Sequence, residues 1–407
     1  MQNPKETLTE QLFWDDQYLT KFEATILEKR DDSLILDRTA FYPAGGGQFS
    51  DHGHIILQNK KSKKLTIKSI EKIDNEIVHY VKGKIDPEFK MGLKVIGEIN
   101  WKRRYNLMLA HTSQHVLSAF IVNLVNVKTM KATIDETEVV IYLKRKISES
   151  ELSTVLINTN SFLLSGKNVQ SAFYEKGKIP EKIKAILRGS LVEIDTPKVR
   201  IVSIDDLDQS LCGGTHCKNT SEIGIIIIND FKGESINFSF GKNALERFAS
   251  INLDVIKTSK LLLAKPTEVG KRMNKVIEEF NELKENNSQL TKIVLEQKLE
   301  EVKNNPITIG SVKVIKDNFH YAEKKFVLQE LGQLSKNTLA VVIVKGPILV
   351  IVSEEKKLPA DELIKIYCKK TNNKGGGTPK IAQAAIKNTK NLFALIEQII
   401  EEKLNEI

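Results

Sequence analysis

The stretch LMLAHTSQHVLSAF (107–120), read together with SLCGGTHCKNT (210–220), decides how the centre of the chain folds. In the first, Met108, Leu109, Val116, Ala119 and Phe120 recur at spacings of three and four with no glycine or proline between them, which predicts a helix. His111 and His115 then stand one turn apart on the same side of it. In the second, Cys212 and His216 span a Gly-Gly turn, so both side chains can point at one place if the loop folds back on itself. Imidazole and thiolate are the ligands zinc prefers, and an H-x3-H helix aims two nitrogens at one ion. Taken alone, H-x3-H is common, and two helical histidines are often only exposed or hydrogen-bonded in a core. Here three of the 7 histidines and two of the 3 cysteines fall within the two motifs, which favours a metal. If His111, His115, Cys212 and His216 all ligate permanently, the ion staples helix to loop; if one position opens to water or substrate, the ion becomes a Lewis acid. The sequence leaves both outcomes open. Cys217 neighbours one of these ligands, but adjacent residues point apart, so Cys212 alone is expected to bind.

Upstream, residues 19–100 read as short strands with Gly, Asp and Asn at the joints, among them KFEATILEKR (21–30), GHIILQN (53–59) and LKVIGEIN (93–100). That spacing predicts a small barrel or strongly curved sheet. The segment FYPAGGGQ (41–48) is the odd element, because three successive glycines weaken a strand and mark close backbone approach or a tight bend. Downstream, alternating stretches such as EVVIYLKR (138–145) and PKVRIVSI (197–204) surround a helix-like SELSTVLINTNSFLLSG (150–166). A sustained heptad follows: Val269, Met273, Val276, Phe280, Leu283, Asn287, Leu290 and Val294 step by four and three in turn. It fits either a helix pair within one chain or a coiled coil between two. After Pro306, strands alternate with helices, and the loop NNKGGGTPKIAQAA (372–385) is expected to open a last helix. The expected architecture is therefore α+β. It comprises a small β-barrel-like domain with a glycine-rich loop over 1–97, an α+β metal-binding domain over 98–250, a helical or coiled-coil linker over 251–305 and a C-terminal α/β domain over 306–407.

At 407 residues the chain has material for two or three cores, and 28% charged with 41% hydrophobic residues excludes a disordered chain. A net charge of +9 makes polyanions the favoured charged partners. Three cysteines cannot form a disulfide scaffold, which fits a reducing cytosol. No apolar run approaches the ~20 residues a membrane span needs, and the start MQNPKETLTEQ has neither the basic nor the apolar region of a signal peptide.

Four stretches, LDRTAFYPAGGGQFSD (36–51), WKRRYNLMLAHTSQH (101–115), VRIVSIDDLDQSLCGGTHCKNTSEIG (199–224) and GGGTPKIAQA (375–384), resemble in order the freestanding alanyl-tRNA editing proteins in their long form. These are similar to the editing and C-terminal domains of alanyl-tRNA synthetase. No stretch resembles a class II synthetase core, so tRNA charging is not expected. The resemblance implies hydrolysis of the ester that joins a wrong amino acid, chiefly serine with glycine as a further candidate, to alanine tRNA. It also implies one zinc ion on His111, His115, Cys212 and His216, a catalytic centre formed by His111, His115 and Gln114, and a C-terminal domain that contacts tRNA. Gln114 and Thr112 are the expected partners of the serine hydroxyl, and Gly45, Gly46, Gly47 and Gln48 are expected to border the amino-acid pocket. Arg103 and Arg104, with Lys102, stand at a helix start where an unpaired cation is unfavourable, so a phosphate neighbour or a solvated turn would account for them. Gly375, Gly376 and Gly377 could offer amides to an anion, and Gln383 matches the family's AQA element. Two departures touch this assignment: Thr378 stands where an arginine is usual, and GESINFSFG (233–241) lacks one. A homodimer through the heptad helix or the C-terminal domain is a further expectation. The competing functions are removal of serine from threonine tRNA and a non-catalytic, zinc-stabilised RNA-binding protein.

Overall fold

The computed structural model describes residues 9–74, 76–191, 196–332, 334–387 and 391–406. The chain divides into two compact units, Met1–Lys257 and Thr258–Ile407.

The first unit begins with a closed six-stranded barrel in the order Lys21–Lys29, Ser33–Leu36, Glu76–Val81, Lys60–Ile73, Gly53–Leu57 and Lys94–Ile99. Strict alternation drives its closure: Phe22, Ala24 and Ile26 are buried while Lys21 and Glu23 face out. The inward side chains, including Leu34, Phe41, Ile55, Ile67, Ile77 and Val95, fill the interior. Closure removes exposed strand edges, so the barrel can present its loops without inviting edge pairing.

Helix α1 (Trp101–Phe120) leaves the last barrel strand through Asn100, whose side chain caps the Arg103 amide. Helix α2 (Glu149–Leu164) starts with a capping box of Ser148 and Glu151. Two four-stranded sheets accompany them. One runs Ile226–Phe231, Ser235–Phe240, Val139–Leu143, Thr129–Ile134; the other runs Val169–Glu175, Lys198–Ile204, Asp208–Leu211, Leu187–Arg188. Leu109, Val116 and Leu117 of α1 share one core with Ile141, Val155, Val202 and Phe238. At about 1.5–3 kcal/mol for each large apolar side chain buried, this packing holds the histidine-bearing helix against both sheets. Helix α3 is a short turn (Glu181–Lys184). Helix α4 (Gly241–Leu261) runs on from the strand Ser235–Phe240.

The second unit contains α5 (Val269–Asn304), a single helix through the whole heptad. Met273, Phe280, Leu283 and Leu290 of that seam are exposed in the single chain, whereas Leu295 and Leu299, beyond it, are buried against the C-terminal sheet. The sheet is six-stranded in the order Ile307–Ile309, Val312–Phe319, Thr338–Val344, Ile348–Ser353, Ile381–Ala385, Gly375–Gly377. Only Val312–Phe319 and Thr338–Val344 pair in parallel; the other pairings are antiparallel. Alternate residues of TLAVVIV go to opposite faces. Val341 and Ile343 pack with α7 (Ala360–Thr371) and α8 (Leu392–Asn405), while Ala340, Val342 and Val344 pack with α6 (Lys324–Leu331) and the end of α5. A strand covered on both faces reads as a continuous apolar run, and this one does.

The glycine run near the C-terminus departs from expectation. Gly375–Gly377 form the edge strand of this sheet and open no helix. A Cβ on Gly375 would lie 2.5 Å from the Gln383 carbonyl oxygen, and one on Gly377 would lie 2.4 Å from Ala382 Cα, so the glycines permit close strand approach. They stand at the sheet's edge, where a helix terminus was expected, and Gly376 is the one that shares a hydrogen-bonded pair with the neighbouring strand.

Candidate metal centre and the cavity beside it

Helix α1 and the loop after the strand Asp208–Leu211 bring the two motifs together. The potential ligand atoms of His111, His115, Cys212 and His216 all lie within 4.8 Å of one another. Cys212 Sγ is 3.4 Å from His111 Nε2 and 3.3 Å from His216 Nε2. With zinc–nitrogen and zinc–sulfur bonds of ordinary length, a tetrahedral shell has edges of roughly 3.3–3.6 Å, so these donors fit such an ion with little rearrangement. Gly214 makes the convergence possible, because a Cβ there would sit 2.2 Å from His111 Cε1.

Each imidazole is oriented from behind. His111 Nδ1 is 2.7 Å from Gln48 Oε1, His115 Nδ1 is 2.9 Å from Asp208 Oδ2, and His216 Nδ1 is 3.2 Å from Thr112 Oγ1. The Thr112 hydroxyl already donates to the Met108 carbonyl at 2.8 Å, so its oxygen accepts from His216 and from the Cys217 amide. With Nδ1–H given to these acceptors, all three rings present an Nε2 lone pair to the centre, the tautomer a metal requires. Burial opposes ionisation of the Cys212 thiol, but the imidazoles of His111, His216 and His115 outweigh it and hold the thiol well below its ordinary range. Burial and the neighbouring His111 ring push His216 down to about 3, which keeps it neutral. Burial lowers His115, but the Cys212 thiolate and the Asp208 carboxylate outweigh it and push the ring up to about 9, so a metal would bind its Nε2 by displacing a proton; the donor set is three imidazoles and a thiolate. Cys217 lies outside the cluster, and burial pushes its thiol up to about 12.

The His111, His115 and Cys212 side of the cluster borders a cavity of about 480 Å³, whose lining also includes Gln114, Gly45 and Gly46. Gln114 Nε2 donates to Ser118 Oγ at 2.9 Å, which fixes its amide. Gly45 and Gln48 exchange both backbone hydrogen bonds at 3.0 Å across Gly46 (φ +59°) and Gly47 (φ +88°). Two successive positive φ values make this a primed hairpin turn. Gly47 is needed for a second reason: its Cβ would come within 2.4 Å of the Ala132 carbonyl oxygen, where the loop docks on the strand Thr129–Ile134.

Several expected roles change. Gln48 is buried, and its carbonyl takes His111 Nδ1 and the Thr215 amide (3.1 Å); it serves the ligand shell and does not line the cavity. Thr112, fully buried, braces His216 and the loop and has no free face for a substrate hydroxyl. Arg104 is fully buried and paired with Asp51, with further bonds to the Ala40 and Gln17 carbonyls, so no part of it can reach tRNA. Arg103 donates to the Ser50 carbonyl at 3.0 Å and pairs with Glu136 at 3.1 Å, which likewise ties it to the fold. Both arginines fasten α1 to the glycine-rich segment's end; of the basic triplet, Lys102 is exposed. Gln383 is exposed, and its Oε1 accepts from Lys324 Nζ at 2.7 Å.

Asp208 is the functional residue that pattern reading missed. It holds His115 and also accepts from Arg188 Nε and Ser210 Oγ, and these donors hold its carboxyl low despite burial. The available signal was an acidic residue four positions before Cys212, inside an otherwise strand-like run. Arg200 was also missed; it donates to the Cys212 and Gly214 carbonyls at 2.9 Å each and fixes the loop from below.

Comparison with known proteins agrees with this layout. A family model for tRNA synthetases class II (A) matches residues 9–103, one for the threonyl and alanyl tRNA synthetase second additional domain matches 199–238, and one for the DHHA1 domain matches 304–406. The first match falls on the barrel and the start of α1. The alanyl-tRNA editing protein AlaX-L of Pyrococcus horikoshii is 28% identical, with 93% of this chain and 95% of that protein covered. An alanine–tRNA ligase of Saccharolobus islandicus is 29% identical over 88% of this chain, which spans only 40% of the ligase. The C-Ala domain from Aquifex aeolicus alanyl-tRNA synthetase matches at 22% identity over 24% of this chain and 98% of its own, with a TM-score of 0.21. Matched from barrel to C-terminal domain by an editing protein and by less than half of a ligase, the chain is similar over nearly its whole length to an alanyl-tRNA editing protein of the long form.

Proposed function

We propose that the chain is a zinc-dependent aminoacyl-tRNA hydrolase that removes serine from mischarged alanine tRNA. The observation that carries this reading is the convergence of three imidazoles and one thiol beside a cavity that also holds the fixed amide of Gln114. In the reaction, water adds to the ester carbonyl carbon, the bond to the ribose oxygen breaks, and free amino acid and tRNA leave. An aminoacyl ester is already activated, so placing water and carbonyl is enough and no covalent nucleophile is required. Zinc in this shell would supply positive charge next to the ester carbonyl. Gln48, Asp208 and Thr112 hold the three rings so that this charge stands at a fixed point. Gln114 selects the amino acid: with Nε2 committed to Ser118, its Oε1 is left to accept from the serine hydroxyl. A pocket built for that bond leaves a buried acceptor unpaired when alanine enters, which spares correctly charged tRNA. The C-terminal unit anchors tRNA.

Incubation with seryl-tRNA(Ala) tests the proposal. Ester loss that disappears in Cys212→Ala while tRNA binding survives supports it. An unchanged ester half-life leaves the RNA-binding alternative, and faster loss from seryl-tRNA(Thr) transfers the activity to threonine tRNA, whose synthetase shares the second matched domain by its description.

A further inference from the structure

Trp14 belongs to the same cavity, and neither the ligand shell nor serine selection accounts for it. Its indole Nε1 donates to the Gly213 carbonyl at 2.8 Å, one residue beyond Cys212. Phe13 and Phe173 pack on it edge-on, with ring centroids 5.3 and 5.4 Å away and planes at 68° in both cases. Its position is therefore fixed relative to the metal loop, yet it is only half-buried and lines the opening.

The charge of the lining gives a second, independent indication. Lys72 and Lys131 line this cavity, and no aspartate or glutamate is among its described lining residues; Arg188, also in the lining, is committed to Asp208 and the His115 carbonyl. Lys72 Nζ also stands 6.0 Å from the Trp14 ring centroid. An aromatic ring flanked by cations is the arrangement that receives nucleotides, with the base stacked and the backbone neutralised.

We propose that Trp14 is the stacking platform for the base of the terminal nucleoside that carries the ester, with Lys72 and Lys131 facing the adjoining phosphate. The inference rests on the hydrolase reading above, since it is the ester at the metal centre that places a sugar and its base beside the loop. Trp14 then acts through binding, setting where the ribose lies relative to the ligand cluster.

The test uses the full chain, metal-loaded, and two hydrolysis-resistant probes: 3′-serylamino-3′-deoxyadenosine and the same serylamide on a ribose without a base. Wild type should bind the adenosine probe about 5- to 150-fold more tightly, the range base–aromatic stacking supplies. Trp14→Phe should keep part of that preference, and Trp14→Ala, with its metal content unchanged, should bind the two probes equally. A Trp14→Ala protein that keeps the full preference overturns the proposal. So does a wild type that binds both probes equally, a result independent of whether any variant folds. Loss of serine from tRNA is followed in parallel. Hydrolysis by a wild type indifferent to the base sinks only the stacking role, whereas an intact ester sinks the hydrolase reading whatever the probes do.

Discussion

Replacing Asp208 by asparagine isolates the orientation of one ligand from the ligand itself. The carboxylate takes His115 Nδ1 at 2.9 Å on Oδ2, Ser210 Oγ at 2.9 Å on the same oxygen, and Arg188 Nε on Oδ1. An asparagine keeps one accepting oxygen and turns two amide hydrogens toward the remaining donors. If the oxygen stays with His115, the amide opposes Arg188; if it turns to Arg188, His115 Nδ1 meets a donor and its tautomer is no longer enforced. Either way the ring loses the partner that raises its basicity. Outer partners of metal-bound histidines typically contribute 10- to 100-fold in affinity, about 1.4–2.7 kcal/mol, and Asp208→Asn should lower zinc affinity within that range. Competition against a chromophoric chelator, well below the unfolding transition, measures it. Ser210→Ala removes a donor from the same carboxylate without touching His115 and should alter affinity much less. Equal affinities for wild type and Asp208→Asn would refute the claim that ring orientation from behind builds this site.

Three more outcomes follow from the geometry. Gln114→Ala should slow serine removal roughly tenfold or more with zinc content unchanged, the cost of a lost hydrogen bond to the substrate hydroxyl; equal rates would remove Gln114 from selection. Gly47→Ala meets both φ +88° and the Ala132 carbonyl, so it should destabilise the first unit by about 1–3 kcal/mol or more in urea unfolding, and more than Gly46→Ala, where nothing lies within 4 Å. His79 sits inside the barrel between Thr39 Oγ1 and the Leu34 carbonyl, and burial, partly offset by that carbonyl, pushes its imidazole from 6.5 down to about 4. The unfolded chain therefore binds the extra proton first, and the stabilisation present above pH 6.5 is lost as pH falls toward 4, by roughly 3 kcal/mol in all. His79→Gln should flatten that slope; an identical pH dependence would show that His79 does not set it.

What could be seen in the sequence was whatever is local. The histidine pair needs only the helical repeat of 107–120, the Cys212–His216 pair needs only a short turn, and the barrel needs only alternation within each strand. What stayed hidden depends on partners far along the chain. Nothing near Gln48 announces that its amide will meet His111, 63 residues on, or that Arg104 will be buried against Asp51, 53 residues before it. A basic triplet at a helix start looks the same whether phosphate or a buried carboxylate answers it. The three glycines at 375–377 misled for a related reason: close approach is what glycine allows, and the neighbour proved to be a strand. Trp14 gave no signal at all, because its meaning lies in its hydrogen bond to Gly213, 199 residues away.

X-ray absorption at the zinc edge of the loaded full chain probes the ligand set most directly. The account predicts one ion per chain with three nitrogen neighbours near 2.0–2.1 Å and one sulfur near about 2.3 Å, the sulfur vanishing in Cys212→Ala and persisting in Cys217→Ala. Two sulfurs, no sulfur, or a chain that retains no zinc would contradict it.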